Sequence, residues 1–599
     1  MKKRFASASL ASLAILALSI PTFVIAQQQP APQPQQRREG GAAASSNPST
    51  TGRGARPTRP RFEPSTATEG IEADVAEALT VIEENYVDGA KIDYNNVFKS
   101  SIIGMLRSLD PHSNFYDAKE FEELRADWRS EYYGIGATIG DRRVEETTDT
   151  YILATFEETP AWRAGLRFGD KIVEVDGQSM KGKASGEVRD RLRGPRGSTV
   201  RLTVERASNG NKETVEITRD AVHQSTVPDS YIIRPGVGYI DMTRGFNYDT
   251  AEEFALAVQK LKAKGAGSLV IDLRGNGGGL LDQAVKVAEQ FLAKDQPILT
   301  QKGRGRRGGV AEREYRSENT SPDNSTIVVL VNRGTASASE IVAGALQDHD
   351  RALIVGETSF GKGLVQSIMP LDYGTALTLT TTKYYTPSGR LLQRDYSNTT
   401  YYDYISRGGI GRQDEADESG QVDTNATPKG PESLTDTGRK IYGGGGIAPD
   451  EAVKPRLINA PQQRLLDPVF AFARELVNGR IAGFESYKVQ KAIDFEHNLL
   501  PTDFVMDDKV YNAFKAYVAS KAQIYKMTEA QLDKQREFIT RQLRYDLATA
   551  AYGTVKATQV LVSEDPQVTK AIELLPRARD LAATAQQRSR SQKERENEE

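Results

Sequence analysis

The sequence predicts a multidomain α+β protein, in which a β-rich domain and a larger α/β domain are flanked by helical regions. A chain of 599 residues exceeds what one hydrophobic core supports, because domains usually hold about 100 to 200 residues. Short β-type runs between turn signals occupy residues 131–222. Farther along, strand-like runs alternate with helical stretches, which is typical of βαβ units around a largely parallel sheet.

Composition and charge exclude several classes of function. Lys and Arg (78) nearly balance Asp and Glu (81), and the formal charge of -3 gives no broad field for nucleic acid or anionic lipid. The absence of cysteine excludes disulfides, thiolate zinc sites and a cysteine nucleophile. The histidines are His112, His223, His349 and His497, and none has a metal-ligand spacing such as HExxH. Hydrolytic chemistry is therefore expected to use another base.

Residues 1–26 have the features of a secretory signal peptide. A basic KKR follows the first methionine, an apolar stretch comes next, and the small Ala26 precedes a polar run. The sequence predicts export with cleavage after Ala26, and an uncleaved membrane anchor is the alternative. Residues 27–66 are rich in Pro, Gln, Gly and Ser and predict a disordered linker, because they offer almost nothing to bury.

Periodicity divides the next part of the chain in two. Over 67–130, apolar residues three and four apart predict a small N-terminal helical region. Over 131–222, the runs YILATF, KIVEVDG, TVRLTVER and ETVEITR are separated by Gly, Pro and Asn-Gly turns. These runs predict a small β-rich domain, with one helix near SGEVRDRLRG.

The α/β domain is predicted over 223–457. Its strand-like runs VGYIDM, SLVIDL, STIVVLVN and ALIVGE alternate with helical stretches, and a polar, Gly-rich segment at about 397–440 predicts a surface insertion. Amphipathic spacing over 458–580 predicts a C-terminal helical region. The charged residues 581–599 predict a disordered tail.

Ser337 is the first candidate for chemistry. In GTASASEIVAGAL, the preceding strand-like run ends in Asn332-Arg333-Gly334, and a helix is expected to begin near Ser337. A serine at a helix N-terminus lies where backbone N–H groups stabilise negative charge. Ser337 and Glu340 also match the S-x-x-E capping box, so a purely structural role is the alternative.

Lys362 is the second candidate. It lies between glycines after a strand-like run and close to Phe360, Leu364 and Val365. A lysine serves as a general base only if its pKa falls from about 10.4 by roughly two to three units, which apolar surroundings can cause. A solvated lysine in a glycine turn is the alternative.

The segment from Gly356 to Lys362 also matches the phosphate-loop spacing G-x-x-x-x-G-K. The match fails at the next position, because Gly363 replaces the Ser or Thr that would bind Mg²⁺. The following LVQSIMPL has the pattern of a strand, whereas a nucleotide site needs a helix there. The sequence therefore disfavours a nucleotide site.

A glycine loop is the third candidate. The stretch SLVIDLRGNGGGLLDQAVKVAEQFL predicts a strand, a glycine loop and a helix. Glycines allow a backbone N–H to approach a ligand closely, as an oxyanion hole requires. GNGGG lacks the G-x-G-x-x-G spacing of dinucleotide sites, and a tight strand-to-helix turn is the structural alternative.

These residues together carry a close resemblance to the C-terminal processing peptidases, which are tail-specific serine proteases. The resemblance runs from about Thr68 to Val453 and rests on separate motifs in the family's order. The motifs are LDPHSNFY (109–116), YYGIGATI (132–139), TPAWRAGLRFGDKIVEVDG (159–177), DLRGNGGG (272–279), GTASASEIVAGALQD (334–348), GETSFGKGLVQ (356–366) and GGGGIAPD (443–450).

The resemblance implies a serine endopeptidase with Ser337 as nucleophile, Lys362 as general base and Gln366 as the residue that orients the lysine. Lys362 lies 25 residues after Ser337, and Gln366 lies four residues after Lys362, as the family pattern requires. Such a dyad cleaves peptides through an acyl-enzyme. Because the dyad supplies both nucleophile and base, no cofactor and no metal are expected.

The resemblance also implies an oxyanion hole in the same domain. The N–H of Ala338 is expected to be one donor. One glycine of the DLRGNGGG loop, Gly277 or Gly278, is expected to be the other, and the long basic loop GRGRRGG leaves the choice between them open.

By the same resemblance, residues 131–222 form a PDZ domain that binds peptides. The backbone N–H groups of Tyr133, Gly134, Ile135 and Gly136 are expected to bind a free α-carboxylate, and the following strand is expected to pair with the peptide. An ordinary glycine turn between strands is the structural alternative. The implied partners are substrates with exposed, apolar C-termini in the periplasm or cell envelope of a bacterium, and no nucleic acid.

Two other functions compete with a Ser/Lys protease. A non-catalytic or autoinhibited PDZ scaffold would bind peptide tails without cutting, but such a scaffold would be expected to lack Ser337, Lys362 or Gln366. A tricorn-like protease would need a histidine base, and the chain has few histidines. For the C-terminal helical region, holding substrate, supporting a homo-oligomer and docking an adaptor all remain open.

Overall fold

The computed structural model describes residues 66–305, 309–397, 404, 430–489 and 492–598. The predicted signal peptide and linker, and most of the predicted insertion, therefore lie outside the described residues. The described chain divides into two compact units, which meet in sequence between Met105 and Leu106. Within the described ranges, no helix combines the length and the apolar character that crossing a bilayer requires.

The first unit is helical, as the spacing of apolar residues predicts. Its helices are α1 (Thr66–Asn85) and α2 (Tyr94–Arg107), and the last two residues of α2 belong to the second unit. The second unit begins with β1 (Asn114–Tyr116) and α3 (Ala118–Trp128).

The β-rich domain follows α3 and contains the predicted runs. Its elements are β2 (Glu131–Gly134), β3 (Ala137–Arg142), β4 (Asp149–Thr155), α4 (Pro160–Arg163), β5 (Lys171–Val175), β6 (Gln178–Ser179), α5 (Ser185–Leu192), β7 (Thr199–Glu205), β8 (Lys212–Thr218) and β9 (Asp220–His223). An antiparallel sheet has the order β3-β4-β5-β7-β8, and α5 packs against β3, β4 and β5. Strand β3 is therefore an edge of this sheet, with α5 beside it.

The α/β domain contains the predicted βαβ units. Its elements are β10 (Ser230–Arg234), β11 (Val237–Asp241), α6 (Thr250–Ala263), β12 (Ser268–Asp272), α7 (Leu281–Glu289), β13 (Pro297–Arg304), β14 (Val310–Arg316), β15 (Thr326–Val331), α8 (Ala338–Asp348), β16 (Ala352–Gly356), β17 (Leu364–Pro370), β18 (Ala376–Tyr385), β19 (Glu432–Leu434), β20 (Lys440–Tyr442) and β21 (Glu451–Ala452). The main sheet has the order β10-β11-β12-β15-β16-β21, and all pairs after β10-β11 are parallel.

A second, antiparallel sheet in this domain has the order β1-β18-β13-β14, and β17 also pairs with β18. The pairing places the strand that follows Lys362 beside β18. It also places the LDPHSNFY motif, which contains β1, beside the same strand. The LDPHSNFY motif therefore lies beside the β17-β18 hairpin that follows Lys362, although the two segments are far apart in sequence.

The C-terminal region is helical, as predicted. Its helices are α9 (Ala460–Val477), α10 (Asp508–Ser520), α11 (Ala522–Tyr525), α12 (Glu529–Asp533), α13 (Arg536–Val562), α14 (Pro566–Glu573) and α15 (Leu575–Glu598). Phe470 of α9 packs against Tyr151 and Phe168 of the β-rich domain. Helix α15 extends through the segment for which the sequence predicts a disordered tail, because Ala, Gln, Arg, Lys and Glu are strong helix formers.

Helices cover both faces of the main sheet. Helices α6, α7 and α8 bury Ile240, Ile271 and Val329 on one face. Helices α14 and α15 pack against the opposite face, where Val568 and Leu575 belong to one apolar cluster with strand residues Val270, Val328, Leu330 and Val355. Parallel sheets are generally buried on both faces, and in this protein helices of the C-terminal region bury one of the two faces.

Candidate active site

Ser337 lies at the junction of β15 and α8, in a strained backbone conformation. It is the N-cap of α8, with φ 57° and ψ -115°. Such a conformation is rare for a residue other than glycine and persists only where its surroundings impose it. Thr335, two residues earlier, is buried and donates its hydroxyl hydrogen to the carbonyl of Leu273, which holds the turn in place. Ser337 itself remains partly exposed, so a substrate can reach it.

Lys362 lies in the turn between β16 and β17, as the sequence predicts. Burial of its ammonium group lowers the pKa of Lys362 to about 8, although the nearby carboxylates of Glu340 and Asp110 act in the opposite direction. A lysine with this pKa is partly neutral at neutral pH and can accept a proton. The segment after it forms strand β17, so the phosphate-loop alternative lacks its helix.

Glu340 holds the backbones of Ser337 and Lys362 together. Its Oε2 accepts the N–H of Ser337 at 2.8 Å and the N–H of Lys362 at 2.9 Å. Its Oε1 accepts the N–H of Gly361 at 2.7 Å and the hydroxyl hydrogen of Ser359 at 2.5 Å. Burial raises the pKa of Glu340, and these four donors counteract that shift. The sequence identified Glu340 only as a helix-capping residue.

Tyr384 connects the same two residues from the other side. Its hydroxyl oxygen lies 2.5 Å from the carbonyl oxygen of Lys362 and 3.1 Å from that of Ser337. Burial raises the pKa of Tyr384 well above its usual value, so the hydroxyl keeps its proton and acts as a donor. Sequence reasoning missed Tyr384, because it lies on β18 in a run that shows only strand periodicity.

The glycine loop packs directly against the serine turn. Gly278 has φ +92°, and a Cβ at this position would lie 2.8 Å from the Cβ of Ser337 and 2.9 Å from the nitrogen of Ala338, so only glycine fits. The N–H of Gly278 donates to Oδ1 of Asn276. Among the described residues, no hydrogen-bond partner is recorded for the N–H groups of Gly277 and Ala338. The structure thus places Gly278 against Ser337 and Ala338, and the choice of the glycine donor for the oxyanion stays a prediction.

Gln366 lies on β17 and contacts a neighbouring strand. Its Nε2 donates to Oγ1 of Thr380 at 3.1 Å, and the described residues include no hydrogen bond from Gln366 to Lys362. The N–H of Thr380 donates in turn to Oγ of Ser113, whose hydroxyl hydrogen is directed to Asp110. The orientation of Lys362 by Gln366 therefore stays a prediction.

The LDPHSNFY motif supplies two further groups near Lys362. Asp110 is buried and its charge acts on Lys362. Burial lowers the pKa of His112 to about 2, with a further contribution from the positive charge of Lys362, so this imidazole is neutral and a weak base. His112 Nε2 lies 2.9 Å from the hydroxyl of Tyr404. Sequence reasoning assigned no role to these residues, although their membership in the LDPHSNFY motif was a signal.

The predicted carboxylate-binding loop leads into an edge strand of the β-rich domain. Tyr133 and Gly134 belong to β2, which pairs with β9. Ile135 is buried in the core of the domain, and Gly136 has φ +79° where a Cβ would clash with Thr159. The carbonyl of Ile135 accepts a hydrogen bond from a backbone N–H of α4, and the carbonyl of Gly136 accepts hydrogen bonds from residues just before α4. These bonds fix the loop. The free edge of β3 begins directly after it, as strand addition by a peptide requires.

Two family models match the chain. A model described as peptidase family S41 matches residues 236–400, and a model described as PDZ domain matches residues 157–206. The first range includes the glycine loop, Ser337 and Lys362. The second lies within the β-rich domain.

Curated relatives match a longer part of the chain in sequence. A carboxy-terminal-processing protease of Bartonella bacilliformis is 38% identical over 305 residues, which are 50% of this chain and 68% of that protein. The carboxy-terminal processing protease CtpB of Bacillus subtilis is 34% identical over 359 residues, which are 58% of this chain and 72% of that protein.

A solved structure titled photosystem II D1 C-terminal processing protease shows 30% identity with a TM-score of 0.30, over 53% of this chain and 89% of that one. The family resemblance that the motifs indicate is confirmed by the identity and coverage of the two curated relatives. The chain belongs to the carboxy-terminal processing proteases, which are serine peptidases of family S41, and it carries the PDZ domain that the family resemblance implied.

Proposed function

We propose that this protease cleaves peptide bonds with a Ser337/Lys362 dyad and selects substrates by their free C-termini through the PDZ domain. The observation that carries the proposal is the arrangement around Glu340 and Tyr384. These two buried side chains each contact the backbones of both Ser337 and Lys362, and they hold a strained serine beside a lysine whose pKa is about 8.

The proposed reaction begins with neutral Lys362, which takes the proton from Oγ of Ser337. Oγ attacks the substrate carbonyl, and the N–H of Ala338 and a glycine N–H of the loop stabilise the oxyanion that forms. The ammonium of Lys362 returns the proton to the leaving amine, and an ester remains on Ser337. Lys362 then takes a proton from water, and the resulting hydroxide attacks the ester carbonyl. The bond from Oγ of Ser337 to the acyl group breaks, the product leaves with a new carboxyl group, and the ammonium of Lys362 returns its proton to Oγ.

The PDZ domain is proposed to bind the substrate tail at the start of β3. A peptide that adds as a strand to this edge would place its α-carboxylate at the loop of Tyr133, Gly134, Ile135 and Gly136. The chain's partners would accordingly be proteins with exposed, apolar C-termini. We also propose that the protein is exported to the periplasm or cell envelope, since residues 1–26 have the features of a signal peptide.

A pair of matched peptides tests substrate selection. Wild-type protein is expected to cleave an unstructured peptide with an apolar free C-terminus about tenfold more efficiently, in kcat/KM, than the same peptide with an amidated C-terminus. The reason is that hydrogen bonds to a charged carboxylate contribute about 1.5 to 3 kcal/mol. The Ser337→Ala protein should bind the free-tail peptide but leave it uncut. Equal cleavage of both peptides would contradict tail recognition, and cleavage by Ser337→Ala would contradict the nucleophile.

The pH dependence of cleavage tests the base. Lys362 must be neutral to accept the proton, and its pKa in the folded protein is about 8. The rate should therefore rise about tenfold for each pH unit well below pH 8 and level off above it. Initial rates under saturating substrate, measured across this range, check the prediction. A midpoint near pH 6.5, the ordinary pKa of histidine, would instead indicate a histidine base.

A further inference from the structure

Arg274 opens the glycine loop and is mostly buried. It lies two residues after the end of β12, and its side chain is 15% exposed. Its Nη2 lies 2.6 Å from Oδ2 of Asp272, the last residue of β12, and its Nε donates to the same carboxylate. A guanidinium in such a position needs carboxylate partners, because an unpaired buried charge is strongly unfavourable.

The other partners of Arg274 come from the C-terminal region. Its Nη1 donates to Oδ2 of Asp565 and to Oε1 of Gln567, each at 2.8 Å. Asp565 is the N-cap of α14, and Gln567 is fully buried and donates from Nε2 to the carbonyl of Val453. Helix α14 also packs against the main sheet through apolar side chains. This packing holds the acceptors of Arg274 in place.

After Arg274, the glycine loop forms hydrogen bonds with the segment around Ser337. The N–H of Gly275 donates to Oδ1 of Asn332, and the carbonyl of Asn276 accepts the N–H of Ala336 and the hydroxyl hydrogen of Ser339. Gly278 then touches Ser337. A shift of Arg274 would therefore move the backbone N–H groups that are proposed to bind the oxyanion, because only a few residues separate them.

We infer that Asp565 and Gln567 are positioning residues for this reaction: through Arg274, they fix the glycine loop to helix α14 of the C-terminal region. The inference rests on the proposed Ser337/Lys362 function. Helix α14 lies beyond residues 236–400, which match the peptidase family model. The inferred positioning residues therefore belong to a part of the chain that the model does not match. Small displacements of reacting groups can reduce rates by about 10²-fold, which makes such support important for catalysis.

The variant Asp565→Asn tests the inference with little disturbance of the fold. Oδ1 of Asp565 accepts the N–H groups of Gln567 and Val568, and asparagine caps helices about as well as aspartate. The change removes the negative charge that faces Arg274. A second variant, Asp565→Ser, also keeps a good N-cap residue, but its shorter side chain cannot reach Arg274. Lys570→Gln is the matched control, because it breaks the 3.8 Å ion pair of α14 with Glu451, away from the loop.

Four quantities are to be measured on full-length protein: kcat and KM for the free-tail peptide, the affinity of a peptide boronate that occupies the oxyanion site, and the thermal midpoint of unfolding. Both Asp565 variants should lose about tenfold to a hundredfold in kcat and in boronate affinity, with KM and the thermal midpoint close to wild type. Lys570→Gln should match wild type in all of them.

If wild type cuts through Ser337 while both Asp565 variants keep kcat and boronate affinity within about twofold, the inference is wrong. It is also wrong if the loss of kcat equals the loss of folded protein, since that outcome shows a purely structural role. Failure of the proposed function is seen separately, because it requires wild type not to cut or Ser337→Ala to cut.

Discussion

Replacing Lys362 by methionine is expected to reduce kcat by at least about 10⁴-fold, as much as replacing Ser337 by alanine, because nucleophile and base act as one unit. Methionine keeps the length and the apolar contacts of the lysine stem but cannot accept a proton. The fold should survive, because burial of the Lys362 ammonium is itself unfavourable, as its lowered pKa shows. Single-turnover cleavage of the free-tail peptide measures the effect, and circular dichroism checks the fold.

Lys383→Met is the matched control for this variant. Lys383 lies on β18, opposite Leu364 in the strand that follows Lys362, and it is exposed. This control should cleave within about twofold of wild type, since exposed substitutions away from special features have small effects. If Lys362→Met retained more than about one hundredth of wild-type kcat, another group would be the base, and the Ser/Lys assignment would fail.

Replacing Glu340 by glutamine is expected to reduce kcat by about 10² to 10³-fold. Glu340 accepts four hydrogen bonds, and an amide would direct an N–H₂ group at some of those donors. Ser337 and Lys362 would then lose the carboxylate that joins their backbones. A structural defect alone could also reduce kcat, so the diagnostic measurement is the pH profile.

The charge of Glu340 raises the pKa of Lys362, in opposition to burial. Without that charge the pKa of Lys362 falls, and the rising limb of the rate profile should move below pH 8 in Glu340→Gln. Glu357→Gln is the control, because Glu357 is also buried and lies near the same turn but pairs with Arg333. The midpoint of its rate profile should match wild type. An unshifted midpoint in Glu340→Gln would show that Glu340 does not act on Lys362.

Local patterns in the sequence predicted the βαβ units. Alternating strand-like and helical runs predicted the order β11-α6-β12 and β15-α8-β16, because the two periodicities differ and each run is long enough to show its own. The apolar neighbours of Lys362 left open either a lowered pKa or a solvated lysine, and burial in the folded protein lowers the pKa to about 8. Family motifs then connected Ser337, Lys362 and the glycine loop.

Other features depended on contacts between distant segments. Nothing in the local pattern of α8 shows that Glu340 binds the backbone of Lys362, 22 residues later, as well as that of Ser337. The same holds for Tyr384 on β18 and for Asp565, which lies 291 residues after Arg274. Amphipathic spacing in the C-terminal region predicted helices with an apolar face, but it could not say which surface that face would cover.

The sequence by itself determined most of the element types, because these depend on local periodicity, and its family motifs named the residues proposed for the chemistry. The tertiary structure alone decided which carboxylates and hydroxyls surround Lys362, and that α14 and α15 close the second face of the main sheet. The physical reason is that pKa values and loop positions depend on burial and on partners, which are set only when distant segments pack together.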